Sequence, residues 1–419
     1  MLVTVDDWLE QIERMHPAEI EMGLARISEV AERLSLLSPV AKVVTVAGTN
    51  GKGSTVATLE ALLLAADVSV GVNTSPHLLK FNERIRVDGN QISDNELVRA
   101  FQQIDDARAE IDLTFFEFTT LAALQCFAWA GVNVVILEVG LGGRLDACNI
   151  IDADIAVVTN IAVDHESWLG SDRETIAPEK AGVCRAGKPV VCADPLPPKS
   201  LLASFDNIGA TPYWIGNDFG FSGQQFHWRQ PSGSTESISV GNVPLSNEAL
   251  ATALQVIALS DLPLPKDVPS VVEKIQLAGR FQRIQYQGRS LLLDVAHNPA
   301  SALRLTERVG REFGGRVNVL FGSMADKDIN GVIKALTPMV NGAWFVSGLK
   351  VDRAIPPEML AEHFYALDIK SVSVNKSVAQ ALARAMSILS DDDLLVVCGS
   401  FFTVSETLSI LIRKGGIDG

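Results

Sequence analysis

The sequence predicts an α/β protein built as two doubly wound domains, and three observations predict it. Short β-branched runs alternate with helical patterns along most of the 419 residues, the signature of a mainly parallel sheet with crossover helices. The first run, Val43-Val44-Thr45-Val46, feeds a glycine-rich turn and then a helix-forming segment. The alternation lapses over residues 195–244 and restarts near Leu277, in a chain too long for one ordinary domain. The expected division is an N-terminal domain over residues 1–279 and a smaller C-terminal domain over 280–419.

In the first domain, strands are expected at residues 42–46, 68–72, 133–138, 155–159 and 189–192. Helices at 56–66, 94–110 and 118–130 lie between them, the last two with apolar residues at helical spacing. Over residues 195–244 Pro, Gly, Ser and aromatics dominate. Alternation there, as in Phe226-His227-Trp228 and Ser237-Ile238-Ser239-Val240, suggests a small antiparallel addition before a closing helix at 248–260. In the second domain, strands at 291–295, 316–321, 343–346 and 394–398 interleave with helices at 301–312, 331–339 and 378–389. Two such domains across a hinge favour a cleft that closes on substrates.

Apolar residues make up 47% of the chain, enough for large cores, and the formal net charge is -15. That balance argues against nucleic acid or a membrane surface as partner, while leaving room for small anions at a local basic patch. The five cysteines are scattered without a C-x-x-C pair, so they read as buried thiols in a reducing compartment. Residues 1–14 lack the basic start and apolar core of a signal peptide. No apolar run is long enough to span a bilayer. The expectation is a cytoplasmic protein.

The richest stretch is Gly48-Thr49-Asn50-Gly51-Lys52-Gly53-Ser54-Thr55. After a strand and before a helix, it is an anion cradle: backbone N–H groups meet phosphate oxygens, the lysine neutralises them and a hydroxyl reaches Mg²⁺. Gly53 departs from the strict P-loop spacing by separating Lys52 from Ser54. Glu138 ends the apolar run Val134-Val135-Ile136-Leu137, where ligands of open α/β sheets gather. A carboxylate there is a Mg²⁺ ligand or a structural partner of Arg144. Asp164-His165 follows the next strand, and His165 is a metal or phosphate contact or a structural histidine. The loop from Thr74 to Arg86 carries His77, Lys80, Arg84 and Arg86, a basic patch suited to an anionic substrate or a solvated loop. By its own sequence context, Lys180 is an ordinary surface lysine. In the second domain Asp294, His297 and Ser400 lie just past apolar strands, where an acidic residue can take a ribose hydroxyl.

Taken together, Gly48–Ser54, Ser75-Pro76-His77-Leu78, the run from Leu137 to Asp146 (Leu-Glu-Val-Gly-Leu-Gly-Gly-Arg-Leu-Asp) and Asp294-Val295-Ala296-His297-Asn298-Pro299 resemble the folylpolyglutamate synthases. The resemblance is closer still to the bacterial bifunctional dihydrofolate synthase/folylpolyglutamate synthases, and it runs from about Trp8 to about Ser405. It implies a Mur-ligase-like fold, with a P-loop ATPase domain that also binds pterin and a Rossmann-like C-terminal domain. It also implies a reaction: ATP phosphorylates a pteroate or folate carboxylate, and L-glutamate attacks the acyl phosphate. The substrates implied are dihydropteroate, tetrahydrofolates and L-glutamate. ATP as co-substrate, two Mg²⁺, a carbamylated Lys180 and a monovalent cation are the implied cofactors, and the implied enzyme is a monomer.

Carried over residue by residue, Thr49 to Thr55 with Asn247, Arg280 and Asp294 bind ATP. Lys52 holds phosphate, and Ser54, Glu138, His165 and the Lys180 carbamate hold metal. Gly23, Leu24, Arg26, Phe116 and Asp146 line the pterin pocket, and His297 and Ser400 lie on the glutamate side. Three positions depart from the pattern: Ala278 and Phe115 stand where proline and tyrosine are usual, and Pro178 comes close to Lys180. The rival within the superfamily is a Mur-type amino-acid ligase of cell-wall precursors. The rival from another class is a nucleotide-gated binding protein whose ligase site has decayed.

Overall fold

A computed structural model of the chain describes residues 4–16 and 21–415. The first three residues of the N-terminal stretch read against a signal peptide lie outside the described residues. The chain divides into two compact units, Met1–Ile275 and Gln276–Gly419.

The first unit contains helices α1 (Val5–Met15), α2 (Ala25–Arg33), α3 (Lys52–Leu64), α4 (Asp94–Arg108), α5 (Phe115–Ala130), α6 (Glu166–Leu169), α7 (Arg173–Ala181), α8 (Lys199–Ile208), α9 (Asn247–Leu259) and α10 (Val268–Val272). Its main sheet is made of β1 (Lys42–Ala47), β2 (Val70–Asn73), β3 (Ile85–Val87), β4 (Asn90–Gln91), β5 (Val134–Glu138), β6 (Ile155–Val158), β7 (Pro189–Cys192) and β8 (Thr211–Trp214). Their order is β4-β3-β2-β5-β1-β6-β7-β8. Strands β2, β5, β1, β6, β7 and β8 run parallel, and the β3–β4 hairpin adds antiparallel to one edge. The chain leaves β1 for one side of the sheet and later returns on the other, so β1 lies at the switch point where ligands of such folds bind.

Continuous Val and Ile runs suit β1, β5 and β6 because both of their faces are covered. On one face α1, α2, α4 and α5 close a core around Trp8, Phe101 and Phe118. On the other, α3, α9 and α10 pack with Val44, Val46, Leu59 and Leu254. Helix α3 is buried nearly all round, since α9 covers the side turned away from the sheet.

A second sheet of β9 (Gly220–Ser222), β10 (Gln225–Arg229) and β11 (Thr235–Ser239) is antiparallel. It is shorter than the addition expected over residues 195–244. Before it, α8 and β8 complete one more parallel crossover, hidden in the sequence by flanking prolines and by Tyr213 and Trp214.

The second unit holds β12 (Gln282–Tyr286), β13 (Arg289–Leu293), β14 (Val317–Phe321), β15 (Trp344–Ser347), β16 (Val372–Asn375) and β17 (Leu394–Cys398), in the order β12-β13-β17-β14-β15-β16. Only β12 is antiparallel to its neighbour. Helices α11 (Pro299–Glu312), α12 (Ile329–Leu336), α13 (Pro357–Ala366), α14 (Val378–Met386) and α15 (Phe401–Arg413) cover this sheet. Among the described residues, no helix is long and apolar enough to cross a membrane.

Candidate active site

The glycine-rich turn joins β1 to α3, and the helix begins at Lys52 itself, four residues earlier than its apolar pattern suggests. Gly51 caps it in the left-handed region, with φ of 89°, where a side chain would be strained. Gly48, with φ of 144°, has no room for a side chain: a Cβ there would sit 1.8 Å from Thr159 Oγ1. The stretch after β6 holds the turn in shape. Thr49 N–H donates to Asn160 O at 2.9 Å, and Asn50 N–H to Asn160 Oδ1 at 2.7 Å. Thr49 Oγ1 donates to Ala162 O at 3.0 Å, and Thr159 Oγ1 to Asn50 O at 2.7 Å. Lys52 Nζ reaches back to Gly48 O at 2.9 Å. Ser54 is half-buried in the first helical turn, whereas Thr55 is buried.

Glu138 is paired in register with Val46 of β1 and is only 5% exposed. Its Oε2 accepts the Ser75 N–H at 3.3 Å. Arg144 does not pair with it. That guanidinium instead donates through Nε and Nη2 to Glu179 Oε1 at 3.0 and 2.8 Å.

In the Thr74–Arg86 stretch Lys80 is exposed, while the other charged groups have partners. Glu83 accepts the N–H groups of Leu78, Leu79 and Lys80 at 2.7–2.8 Å. Arg86 forks onto Glu60, with Nη2 to Oε2 at 2.6 Å. Arg84 Nε donates to His77 Nδ1 at 2.9 Å. Burial and the Arg84 charge pull the His77 pKa down to about 4, so the ring is neutral at physiological pH.

Lys180 is not a surface residue: it is 4% exposed, on α7. Burial, reinforced by the Lys52 charge, lowers its pKa to about 7, with Asp164 and Asp146 opposing. Pro178 leaves α7 continuous. The Glu174 carbonyl that the proline cannot engage accepts Ser200 Oγ at 2.7 Å instead. The end of α7 is clamped to the Gly142–Arg144 turn. Arg144 N–H donates to Glu179 O at 2.7 Å, and Asn149 Nδ2 donates to Arg144 O and Gly182 O. His165 is exposed and left-handed, with φ of 53°, on the loop that Thr49 staples to the P-loop.

Of the residues read as a pterin pocket, Phe116 and Asp146 meet at the Gly140–Leu141 turn. Met22, Leu169 and Glu179 surround the Cβ position of Gly142, and Phe116 lies over Gly140, where a Cβ would be 2.7 Å from the ring. Gly23 has open space around it, and Leu24 precedes α2. Arg26 joins the buried Glu117, the neighbour of Phe116, at 3.3 Å. Asp146 faces inward: Oδ2 accepts the Gly140 and Leu141 N–H groups at 3.0 and 2.9 Å, and Oδ1 accepts that of Cys148 at 3.0 Å. Burial raises its pKa against those bonds.

Asn247 opens α9, the helix packed on α3. In the second unit, Asp294 directly follows β13 and accepts the Phe281 and Ala296 N–H groups, both at 2.9 Å. Burial raises its pKa while Arg280 opposes. The Arg280 guanidinium lies 5.1 Å from the Phe401 ring centroid, and the His297 ring is 6.0 Å from the same ring. Ser400 is buried and caps α15, accepting the Thr403 N–H at 3.0 Å.

The donor set of the first unit suits Mg²⁺, which favours oxygen ligands and takes few from protein. Ser54 and Glu138 offer oxygens beside the phosphate cradle. Among the described residues no three His, Cys, Asp or Glu side chains form a metal cluster.

The "Mur ligase, glutamate ligase domain" family matches residues 279–401. Over 98% of its length the chain is 41% identical to the dihydrofolate synthase/folylpolyglutamate synthase of Escherichia coli K12, covering 96% of that protein. The chain belongs to this family. Its fold matches E. coli FolC in complex with DHPP and ADP at a TM-score of 0.92, with 39% identity and 99% of each chain covered. The bifunctional folylpolyglutamate synthase/dihydrofolate synthase of Yersinia pestis, complexed with AMPPNP and Mn ion, matches at 0.91 with 42% identity over 98% of each chain. These members agree with the two-domain α/β fold and with an ATP-dependent ligase class. They do not favour the cell-wall ligase alternative.

Sequence reasoning missed Thr159 and Asn160, which shape the phosphate turn, and the Arg144–Glu179 pair. Their position directly after β6 could have flagged the first two. Nothing local marks the second pair, whose members lie 35 residues apart.

Proposed function

We propose that this chain adds L-glutamate to dihydropteroate, forming dihydrofolate, and to reduced folates, forming folylpolyglutamates, at the expense of ATP. The observation that carries this reading is the gathering of a phosphate turn, the buried Glu138 and the buried Lys180 around the ends of β1, β5 and β6, in a full-length family member. A carboxylate oxygen of the acceptor attacks the γ-phosphorus and ADP leaves. The glutamate amine then attacks the acyl carbon, phosphate leaves with the C–O bonding pair, and the amine loses a proton. The amides of Thr49 to Thr55 and the Lys52 ammonium hold the phosphates in line and offset the charge that develops.

Ser54 and Glu138 would hold one Mg²⁺, and Glu138, His165 and a carbamate on Lys180 would hold a second, where such ions would supply polarisation of the phosphoryl oxygens. Carbamylation needs a neutral amine. With its pKa near 7, about half of Lys180 is neutral at pH 7, against about three parts in ten thousand for an ordinary lysine. The carbamate would turn a buried cation beside Lys52 into an anion. Asn247, Arg280 and Asp294 hold the nucleotide. Gly23, Leu24, Arg26 and Phe116 line the pterin pocket, with Asp146 shaping its turn, and His297 and Ser400 serve the glutamate side. A monovalent cation, a monomeric state and a cytoplasmic location complete the reading, as does the assignment of ATP and pterin binding to the first domain.

The test is ADP release with Mg²⁺-ATP and L-glutamate, comparing 7,8-dihydropteroate with tetrahydrofolate and weighing the products by mass spectrometry. Both acceptors should gain one glutamate residue per ADP. Turnover of only one assigns a single step, and turnover of neither overturns the reading.

A further inference from the structure

The Ser75–Arg86 loop holds a guanidinium that the roles above leave unused. Arg84 Nε–H donates to His77 Nδ1, so Nδ1 carries no proton and the neutral ring keeps its hydrogen on Nε2. The guanidinium carbon lies 5.5 Å from the Phe81 ring centroid and 5.4 Å from that of Phe115. Among the described residues, neither Nη amine of Arg84 makes a hydrogen bond or an ion pair. Arg86, two residues on, spends its fork on Glu60. Burial draws Arg84 down to about 10, with Glu138 and Glu83 opposing, so it stays a cation at neutral pH. Arg84 is half-buried and its two Nη donors are uncommitted, a fork placed to receive an anion.

The position says which anion. The loop meets the phosphate side through the Ser75 N–H on Glu138. It meets the pterin side through Phe115, the chain neighbour of Phe116. An acceptor whose ring lies by Phe116 and whose carboxylate attacks a γ-phosphate above Lys52 must pass between them. We propose that the two Nη amines of Arg84 receive the acceptor's reacting carboxylate, and that His77 is the positioning residue that fixes the fork. The assignment rests on the ligase reading above. A planar fork suits a carboxylate in a way that a lysine point charge does not.

The experiment measures dissociation constants of dihydropteroate and of its uncharged carboxamide, by calorimetry, for the natural enzyme, Arg84→Gln, Arg84→Lys and His77→Phe. The natural enzyme should prefer the carboxylate, and Arg84→Gln should erase about 10- to 100-fold of that preference. Carboxamide binding and the Mg²⁺-ATP dissociation constant should stay within about twofold. Arg84→Lys should recover part of the preference, and His77→Phe should lose part of it. An unchanged preference in Arg84→Gln, or a parallel loss of all three ligands, overturns the assignment. If the natural enzyme turns over neither folate acceptor, the ligase reading fails and this assignment fails with it. Turnover by the natural enzyme together with an unchanged preference in Arg84→Gln rejects the assignment alone.

Discussion

The strand-end rims of the two units look alike in sequence and differ in what their charged groups do. Both place acidic residues and a histidine just past apolar strands. In the second unit, Asp294 spends both oxygens on backbone N–H groups and Ser400 spends its hydroxyl on a helix cap. In the first, burial moves three cationic or basic groups far from their ordinary values: Lys180 to about 7, His77 to about 4 and Arg84 to about 10. Shifts of that size gather where chemistry is done. A polar residue past a strand end therefore marks a rim, and its partners decide whether it reacts or braces.

The contrast breaks most easily at Lys180. Lys180→Ala should lower kcat on the order of 10³-fold with the melting temperature little changed, and acetate should partly restore turnover; full activity would make Lys180 a brace too. Gly48→Ala should cost about 2–4 kcal/mol of stability, read by urea unfolding, since its Cβ would overlap Thr159 Oγ1. His77 tests its loop through pH. Its folded pKa lies below the unfolded 6.5, so the unfolded chain binds more protons between pH 6.5 and about 4. Stability should be full above 6.5 and fall as pH drops through that range. The loss should approach about 2 kcal/mol after allowance for the ring's partial exposure, and His77→Phe should flatten it. In the second unit, Asp294→Asn keeps one acceptor of two and should raise the KM for ATP about 10-fold with kcat nearly unchanged. Ser400→Ala should cost about 1 kcal/mol of stability as a lost cap and raise the KM for glutamate severalfold. A lost cap with an unchanged KM would make that hydroxyl a brace alone.

Much of the first rim was legible because its signals are local. The strand–turn–helix around Lys52 and the apolar run ending in Glu138 need no distant partner to be recognised. Lys180 was not legible from its surroundings in sequence: Pro178 and Glu179 beside it suggest an exposed helix, whereas the end of that helix packs on Gly143 and is bonded by Asn149. Arg84 and Arg86 read as equivalent cations, yet Glu60, 26 residues away, takes one and not the other. Helix α8 and strand β8 were lost among prolines, although β8 pairs with β7 along its whole length. Helix periodicity and strand runs are written within about ten residues, whereas pairing and burial are decided by contacts across the fold.

The proposed joining of glutamate to the acceptor through an acyl phosphate is tested most directly by an isotope. Dihydropteroate labelled with ¹⁸O in both carboxylate oxygens is turned over with Mg²⁺-ATP and L-glutamate, and the products are weighed. One label should appear in inorganic phosphate and one should remain in the new amide for each ADP formed. Phosphate without label, or label carried into AMP, would contradict the account.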